Sequence, residues 1–319
     1  MKSPKINEII FRELLKRGYS LEGKTRIWNI ADSKLWYITP EQAQAFLDLE
    51  KSPEYVKDIM EKEMELIRQN LDEIIRKVGE GALNIIDLGC GDGRKAAIFI
   101  DHLKNKGKKD MKIRYCPIDI SSYMVERAID RLSKMNVDEI VQFQWNISDF
   151  ENIENISSLL RQGEFKKNFI LLLGNTLGNF EIHELLYSLK NGMEDEDYIL
   201  IGNGLGSKES EDIVKAYDNK FIDNLLIKTL LQIGIKKEDV KYGARFKNSR
   251  IEMYYTIKKD IKIKFLDKEV LFNKGDQILV AVSYKYTEYD LMSHLKMYFR
   301  EVDMYTPQDK SYAVALCKK

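Results

Sequence analysis

The spacing of apolar positions along the chain changes character twice. From Ile6 to Arg17 the apolar residues Ile9, Ile10, Leu14 and Leu15 recur at helical spacing and predict a short amphipathic helix. The stretch from Gly18 to Pro40 holds Tyr19, Gly23, Trp28, Trp36 and Tyr37 without a clean period and reads as irregular. Thr39 then stands as an N-cap with Pro40 at the first helical position, which opens a helix. A further helix from Pro53 to Val78 carries Val56, Ile59, Met60, Met64, Ile67 and Leu71 on one stripe.

From Ala82 the pattern becomes short apolar strands separated by helices. Strands are expected at Leu83 to Leu88, Ile113 to Ile120, Ile140 to Gln144, Asn168 to Leu173 and Tyr198 to Gly202, with helices at Arg94 to Lys104, Met124 to Met135 and Ile182 to Lys190. Strict alternation of this kind implies right-handed crossovers and a parallel, doubly wound α/β sheet with helices on both faces. Beyond Gly206 the alternation stops. Ser210 to Ile233 reads as helical, while Arg250 to Ile257, Ile261 to Leu266 and Glu269 to Leu271 read as antiparallel strands. Tyr298 to Met304 and Tyr312 to Cys317, around Thr306-Pro307-Gln308-Asp309, predict a C-terminal hairpin. The expected organisation is a cofactor domain of residues 53–205 with 283–319, and a smaller α+β substrate domain of residues 1–52 with 206–282.

Composition narrows the function classes. At 319 residues with 44% apolar content, the chain can bury one large or two medium cores. Lys+Arg and Asp+Glu are 51 each, so no net field favours nucleic acid or an anionic membrane, and a small uncharged or zwitterionic substrate fits better than a polyanion. Cys90, Cys116 and Cys317 show no paired spacing, which points to a reducing compartment. The first residues lack an apolar h-region, and no run approaches the roughly 18 apolar residues of a membrane helix, so a cytoplasmic protein is expected. His102, His183 and His294 are far apart in sequence and no Cys or His cluster has metal-ligand spacing, so no metal site is expected.

The chemistry concentrates after the first buried strand. Asn84-Ile85-Ile86-Asp87-Leu88 runs into a turn containing Gly89, Gly91 and Gly93, which lets backbone amides approach a ligand at the start of a helix. The turn lacks both the full dinucleotide pattern and a phosphate-loop Gly-Lys-Ser/Thr. Asp119 ends the second strand, where a carboxylate can accept from both hydroxyls of a ribose, and Asp149-Phe150 follows the third, placed to bond and stack on an adenine. Together these describe a nucleoside cofactor without a pyrophosphate. Cys90, inside the turn, has no neighbouring His and reads as a small residue beside the cofactor rather than a nucleophile.

Asp87 to Gly93 is similar to the first motif of class I methyltransferases. The later segment Leu172-Leu173-Gly174-Asn175-Thr176-Leu177-Gly178-Asn179-Phe180 resembles the Gly-x-Thr-x-Gly-Asn signature of the histidine-specific methyltransferase family, whose best-known members trimethylate the α-amine of histidine on the route to ergothioneine. Ala216-Tyr217-Asp218, Ser249-Arg250-Ile251-Glu252-Met253 and Val282-Ser283-Tyr284-Lys285-Tyr286 extend the resemblance, which runs from about Tyr19 to the C-terminus. It implies a class I methyltransferase fold and S-adenosylmethionine as cofactor. Gly89, Gly91 and Lys95 then match the turn that holds the methionine end, Asp119 the ribose ligand, and Asp149 and Phe150 the adenine contacts. Gly174 matches a position beside the reacting amine and counts with the cofactor set. Asn179 and Tyr217 match the pair that grips the substrate's α-carboxylate, and Tyr19 aligns with a tyrosine near the amine. Methyl transfer from a sulfonium is an in-line displacement by a neutral amine, so positioning supplies most of the catalysis.

One departure bears on the acceptor. Histidine-methylating members hold the imidazole with a Glu and a Ser two residues apart, and the matching positions here are Ala281 and Ser283. Losing the acid removes the partner that compensates a polar ring for desolvation. Trp36-Tyr37 stands where the family reads Tyr-Tyr, adding apolar surface, while Met253 is retained opposite the ring position. The expected activity is therefore N-methylation of the amino group of an amino acid or close derivative other than histidine. Two alternatives are another S-adenosylmethionine-dependent transfer, to oxygen or carbon or of an aminocarboxypropyl group, and a silent cofactor-binding partner protein. Oligomeric state is not legible.

Overall fold

The computed structural model describes residues 6–51, 60–106, 111–142, 150–206, 211–265 and 267–319. Its helices are α1 Ile6–Arg17, α2 Pro40–Leu49, α3 Glu61–Val78, α4 Arg94–Lys106, α5 Ser122–Leu132, α6 Ile153–Leu160, α7 Ile182–Asn191, α8 Glu211–Tyr217, α9 Lys220–Leu231 and α10 Glu288–Tyr298. Its strands are β1 Tyr19–Glu22, β2 Thr25–Asn29, β3 Leu83–Leu88, β4 Ile113–Ile118, β5 Glu139–Ile140, β6 Lys167–Leu172, β7 Tyr198–Gly204, β8 Val240–Lys247, β9 Arg250–Ile257, β10 Ile261–Phe265, β11 Lys268–Phe272, β12 Gln277–Tyr284, β13 Glu301–Tyr305 and β14 Tyr312–Lys318. The chain divides into two compact units, Met1–Glu54 with Ser207–Lys285 and Tyr55–Gly206 with Tyr286–Lys319.

The second unit is built on a sheet in the order β13-β14-β7-β6-β3-β4-β5. From β7 to β5 every pairing is parallel, and β14 enters antiparallel to β7 with β13 antiparallel to it in turn. This is the doubly wound class I methyltransferase arrangement with its C-terminal hairpin. Strand β3 is buried at every position because both sheet faces are covered. Ile85, Tyr115, Phe169, Leu171, Leu200 and Val314 face α3, α4 and α5, which contribute Ile67, Phe99 and Ala128 to the same cluster. The alternate residue Asn84 points the other way, where its amide donates to Leu160 O of α6 and to Asn168 Oδ1. Helix α3 holds its place through Leu66, Ile67, Leu71, Ile74 and Val78, each contributing roughly 1.5–3 kcal/mol by burial. The β5 strand is shorter than the expected Ile140 to Gln144, and Gln144 and Pro53 to Ile59 lie outside the described residues.

The first unit carries a sheet in the order β1-β2-β12-β9-β8, antiparallel except where β12 runs parallel to β2, and a β10–β11 hairpin. Several expectations are corrected here. The segment from Gly18 to Pro40 is a hairpin plus a short 3-10 turn at Ser33–Trp36, not irregular coil. Strand β1 is an exposed edge with no buried residue, so it had no apolar alternation to read. The single helix expected from Ser210 to Ile233 is two helices, because Asn219 adopts extended backbone and its side chain caps Phe221 N and Ile222 N. Strands β8 and β12 were not expected. Strand β12 is buried from Ile278 to Ser283 and lacks alternation, and a register shift between Leu279 and Ala281 further breaks its period. In the second unit Tyr298 closes α10 instead of opening a strand, with Thr287 capping that helix at Asp290 N. The α2 start stands as expected, with Thr39 and Gln42 forming a reciprocal capping box.

Among the described residues no helix is long and apolar enough to cross a membrane. Gly93, in the left-handed region at φ 75°, lets α4 start directly against α5, and a Cβ there would lie 2.7 Å from Leu132 Cδ2 and 3.1 Å from Ala128 Cα. Gly93→Ala is therefore expected to cost about 2–4 kcal/mol through strain and overpacking, measured by urea unfolding. A loss under about 0.5 kcal/mol, within the range of an innocuous surface change, would refute so close a contact.

Candidate active site

The parallel strands of the second unit converge their carboxyl ends where the chain leaves β3 toward β4 on one side and returns to lay β6 on the other. Such a switch point is where open α/β sheets hold ligands. The turn after β3 hangs on β4, since Gly89 N and Cys90 N both donate to Ile118 O at 2.8 and 3.1 Å. Its three glycines, all at positive φ, do different work. The α face of Gly89 looks toward Thr176 and Phe150, Gly91 faces open space, and Gly93 packs on α5. Of the three, Gly91 is the one whose α-carbon faces open space among the described residues.

Asp119, one residue past β4, aims its carboxylate back at this turn. Oδ2 accepts from Gly91 N at 3.2 Å and Oδ1 from Ser121 N at 3.0 Å. Burial pushes its pKa up to about 6, against the backbone donors that favour the charged form. Behind it Asp87 is buried, accepts from Tyr115 Oη at 2.8 Å, and is raised by burial to about 7. Burial likewise pushes the Cys90 thiol well above its ordinary value, so it is no nucleophile at neutral pH. Phe150 packs on Phe180 with ring centroids 5.3 Å apart at the rim of the turn. Asp149, paired with it in the sequence expectation, lies outside the described residues.

The turn after β6 is shaped by Gly174 at φ 77° and Asn175 at φ 62°. Asn175 Oδ1 accepts from Gly204 N at 2.9 Å and Thr176 Oγ1 donates to Leu173 O at 2.7 Å, which ties this turn to the end of β7. Asn179 closes the short 3-10 turn Thr176–Asn179 and is half-buried. Lys95, on the first turn of α4, reaches across to Gly174, where a Cβ would fall 2.5 Å from Nζ. Its partner is Glu63 of α3, fully buried, with Oε2 2.7 Å from Nζ. Sequence reasoning missed Glu63. It sits among the apolar stripe of α3, and nothing local distinguishes it from a solvent-facing acid.

In the first unit the residues that the family resemblance places on the acceptor side gather on one sheet face. Register pairs Ala281 with Met253 and Ser283 with Ile251, so these side chains project together. Ala281 is fully buried, and Met253 and Ser283 are nearly so. Tyr217, ending α8, places its hydroxyl 3.0 Å from Ser283 Oγ and its carbonyl accepts from Tyr242 Oη at 2.7 Å. Lys285 Nζ lies 5.0 Å from the Tyr217 ring centroid. Trp36 is buried with its indole donating to Val280 O at 2.8 Å, and Tyr37 bridges it to Phe46. Tyr19 shares that sheet face through Trp28 but lies on the outer edge strand, half-exposed under the Arg26 guanidinium.

A model of the family described as histidine-specific methyltransferase, SAM-dependent, matches residues 34–319. The chain belongs to this family. It is an S-adenosylmethionine-dependent methyltransferase, and S-adenosylmethionine is its cofactor. The crevice at β3, β4 and β6 fits that group: a carboxylate for a ribose, an aromatic rim, backbone amides, and no phosphate-binding cluster in the turn. The chain is also similar in structure to an S-adenosylmethionine-dependent methyltransferase from Clostridium acetobutylicum ATCC 824, at 13% identity, 86% and 98% coverage of the two chains and a TM-score of 0.47. It is similar to the PH0226 protein from Pyrococcus horikoshii OT3 at 11% identity, 88% and 99% coverage and a TM-score of 0.45. Likenesses this distant assign neither substrate nor site residue. No curated protein matches the chain.

An acid with a raised folded pKa binds more protons folded than unfolded, so ionising Asp119 and Asp87 lowers stability as the pH climbs from about 4 to about 7. With Asp119 in the ribose-binding role that the family resemblance implies, ligand binding would have the opposite sign, because hydroxyl donors need the ionised carboxylate. S-adenosylmethionine affinity is expected to rise as the pH passes about 6 and then level off, followed by calorimetry. Asp119→Asn is expected to flatten that profile and to weaken binding by about 1–3 kcal/mol. An unchanged profile would show that Asp119 does not face the cofactor.

Proposed function

We propose that this methyltransferase transfers methyl groups to the amino group of a free amino acid, or a small molecule built on an amino-acid frame, whose side chain is not imidazole. The observation that carries the second half is Ala281. It is fully buried opposite Met253 and two residues from a Ser283 already bonded to Tyr217. Where the family's histidine-methylating members present an acid, this face offers a methyl group, a thioether and a hydroxyl. An imidazole desolvated there would lose its water without gaining a charged acceptor, at a cost of about 1–3 kcal/mol. Trp36, committed to Val280 O, adds apolar surface to the same unit.

For the amino-acid frame, the proposal takes the Tyr217 hydroxyl as a donor to the carboxylate, a neutral group suited to a zwitterion. Tyr19 and Tyr37 are assigned to the amine and ring side, and Gly89, Gly91, Lys95, Phe150 and Gly174 to the cofactor. The Tyr217 hydroxyl lies 3.0 Å from Ser283 Oγ, and where Ser283 donates, the tyrosine keeps its own proton for the carboxylate.

Methyl transfer from labelled cofactor to a pooled amino-acid and metabolite extract, read by product mass, is expected to yield methylated amines other than methylated histidines. Histidine binding tighter than every other amino acid would overturn this. Tyr217→Phe is expected to raise KM for the acceptor about tenfold, the scale of one lost hydrogen bond to a charged group, with cofactor affinity unchanged. Equal damage to both would show that Tyr217 does not hold the acceptor.

A further inference from the structure

Glu63 is a buried carboxylate that no part of the activity described so far uses. It enters from the first turn of α3 and has no accessible surface. Oε1 accepts from Gly174 N at 2.8 Å and from Tyr312 Oη at 2.7 Å, while Oε2 stands 2.7 Å from Lys95 Nζ as an ion pair rather than a directed hydrogen bond. The sheet makes room for it: a Cβ at Gly202 of β7 would overlap this carboxylate. One side chain thus joins α3, the α4 lysine, the turn after β6 and β14. A charge taken wholly out of water is retained only with compensation, and here the compensation is Lys95 and two donors.

We infer that Glu63 is a positioning residue that sets the charge and place of Lys95 at the cofactor. The inference rests on the assignment of Lys95 to the methionine end of S-adenosylmethionine. That cofactor carries a sulfonium, whereas the product, S-adenosylhomocysteine, carries a neutral thioether. An uncompensated Lys95 ammonium at the crevice would repel the sulfonium and leave the thioether untouched. Glu63 offsets that repulsion while Lys95 Nζ stays beside Gly174. It also pins Gly174 N, so the turn after β6 keeps the close approach that Lys95 makes over Gly174.

The test is the ratio of the two dissociation constants, cofactor over product, by calorimetry on purified full-length variants whose folding is checked by circular dichroism. Glu63→Gln keeps the size and the acceptor for Gly174 and removes the carboxylate that stands 2.7 Å from Lys95 Nζ, so the ratio is expected to rise about tenfold. Lys95→Gln leaves the carboxylate unbalanced and is expected to move the ratio the other way, about threefold or more, while weakening both ligands. The double variant removes both charges, avoids an unpaired buried ion, and is expected to return the ratio to near the starting value. A merely structural Glu63 would weaken both ligands equally, and that result overturns the inference. If Lys95→Gln weakens neither ligand, the placement of Lys95 fails and the inference with it. If Lys95→Gln weakens both but the ratio is fixed in all three variants, the placement stands and the role of Glu63 falls.

Discussion

Parallel strands buried on both faces can offer backbone groups to a ligand only at their ends. In the second unit that constraint orders everything else. Strands β3, β4, β6 and β7 are covered by helices along their length, so the turns after β3 and β6, and Asp119 just past β4, are where polar groups accumulate. Those turns need left-handed backbone, supplied by glycine at 89, 91 and 174 and by asparagine at 175. The cofactor crevice is thus a by-product of covering the sheet.

Closing such an end against water requires each buried polar group to find a partner, and the partners come from distant segments. Asn175 is held by Gly204 N, Asp87 by Tyr115, and Glu63 by Tyr312, Gly174 and Lys95. The late strand β14, antiparallel beside β7, therefore contributes the Tyr312 hydroxyl to the same cluster that the early helix α3 contributes Glu63. Burial has a chemical consequence as well. It raises Asp119 and Asp87 into the range just below neutrality, so the crevice carries less negative charge in mild acid.

The first unit answers a different requirement. Its sheet gathers Met253, Ala281 and Ser283 on one face because β9 and β12 are antiparallel neighbours with a shift in register that brings Ala281 opposite Met253. Helix α8 then ends at Tyr217, whose hydroxyl reaches Ser283. The family resemblance named these positions, and the register explains why they belong to one surface. The identity of the residue at 281 is a property of one side chain rather than of the fold.

Local patterns were enough for the cofactor half. The strands β3, β4, β6 and β7 and the glycine turn follow from period and turn chemistry, as the Thr39 cap of the first unit follows from capping, all of which act between neighbours in sequence. The exposed edge strand β1 and β12, buried from Ile278 to Ser283, were illegible because neither alternates, and the break at Asn219 because a cap inside a helical pattern looks like any polar residue. Glu63 was illegible for a deeper reason. Its burial, its bond to Gly174 and its pairing with Lys95 exist only once α3 is laid against strands more than a hundred residues away in the chain. Sequence alone determined the order of strands β3, β4, β6 and β7 along the chain and the glycine turn after the first of them. Only the tertiary structure decided which charges face each other there, because long-range packing, not local propensity, chooses the partners of buried ions.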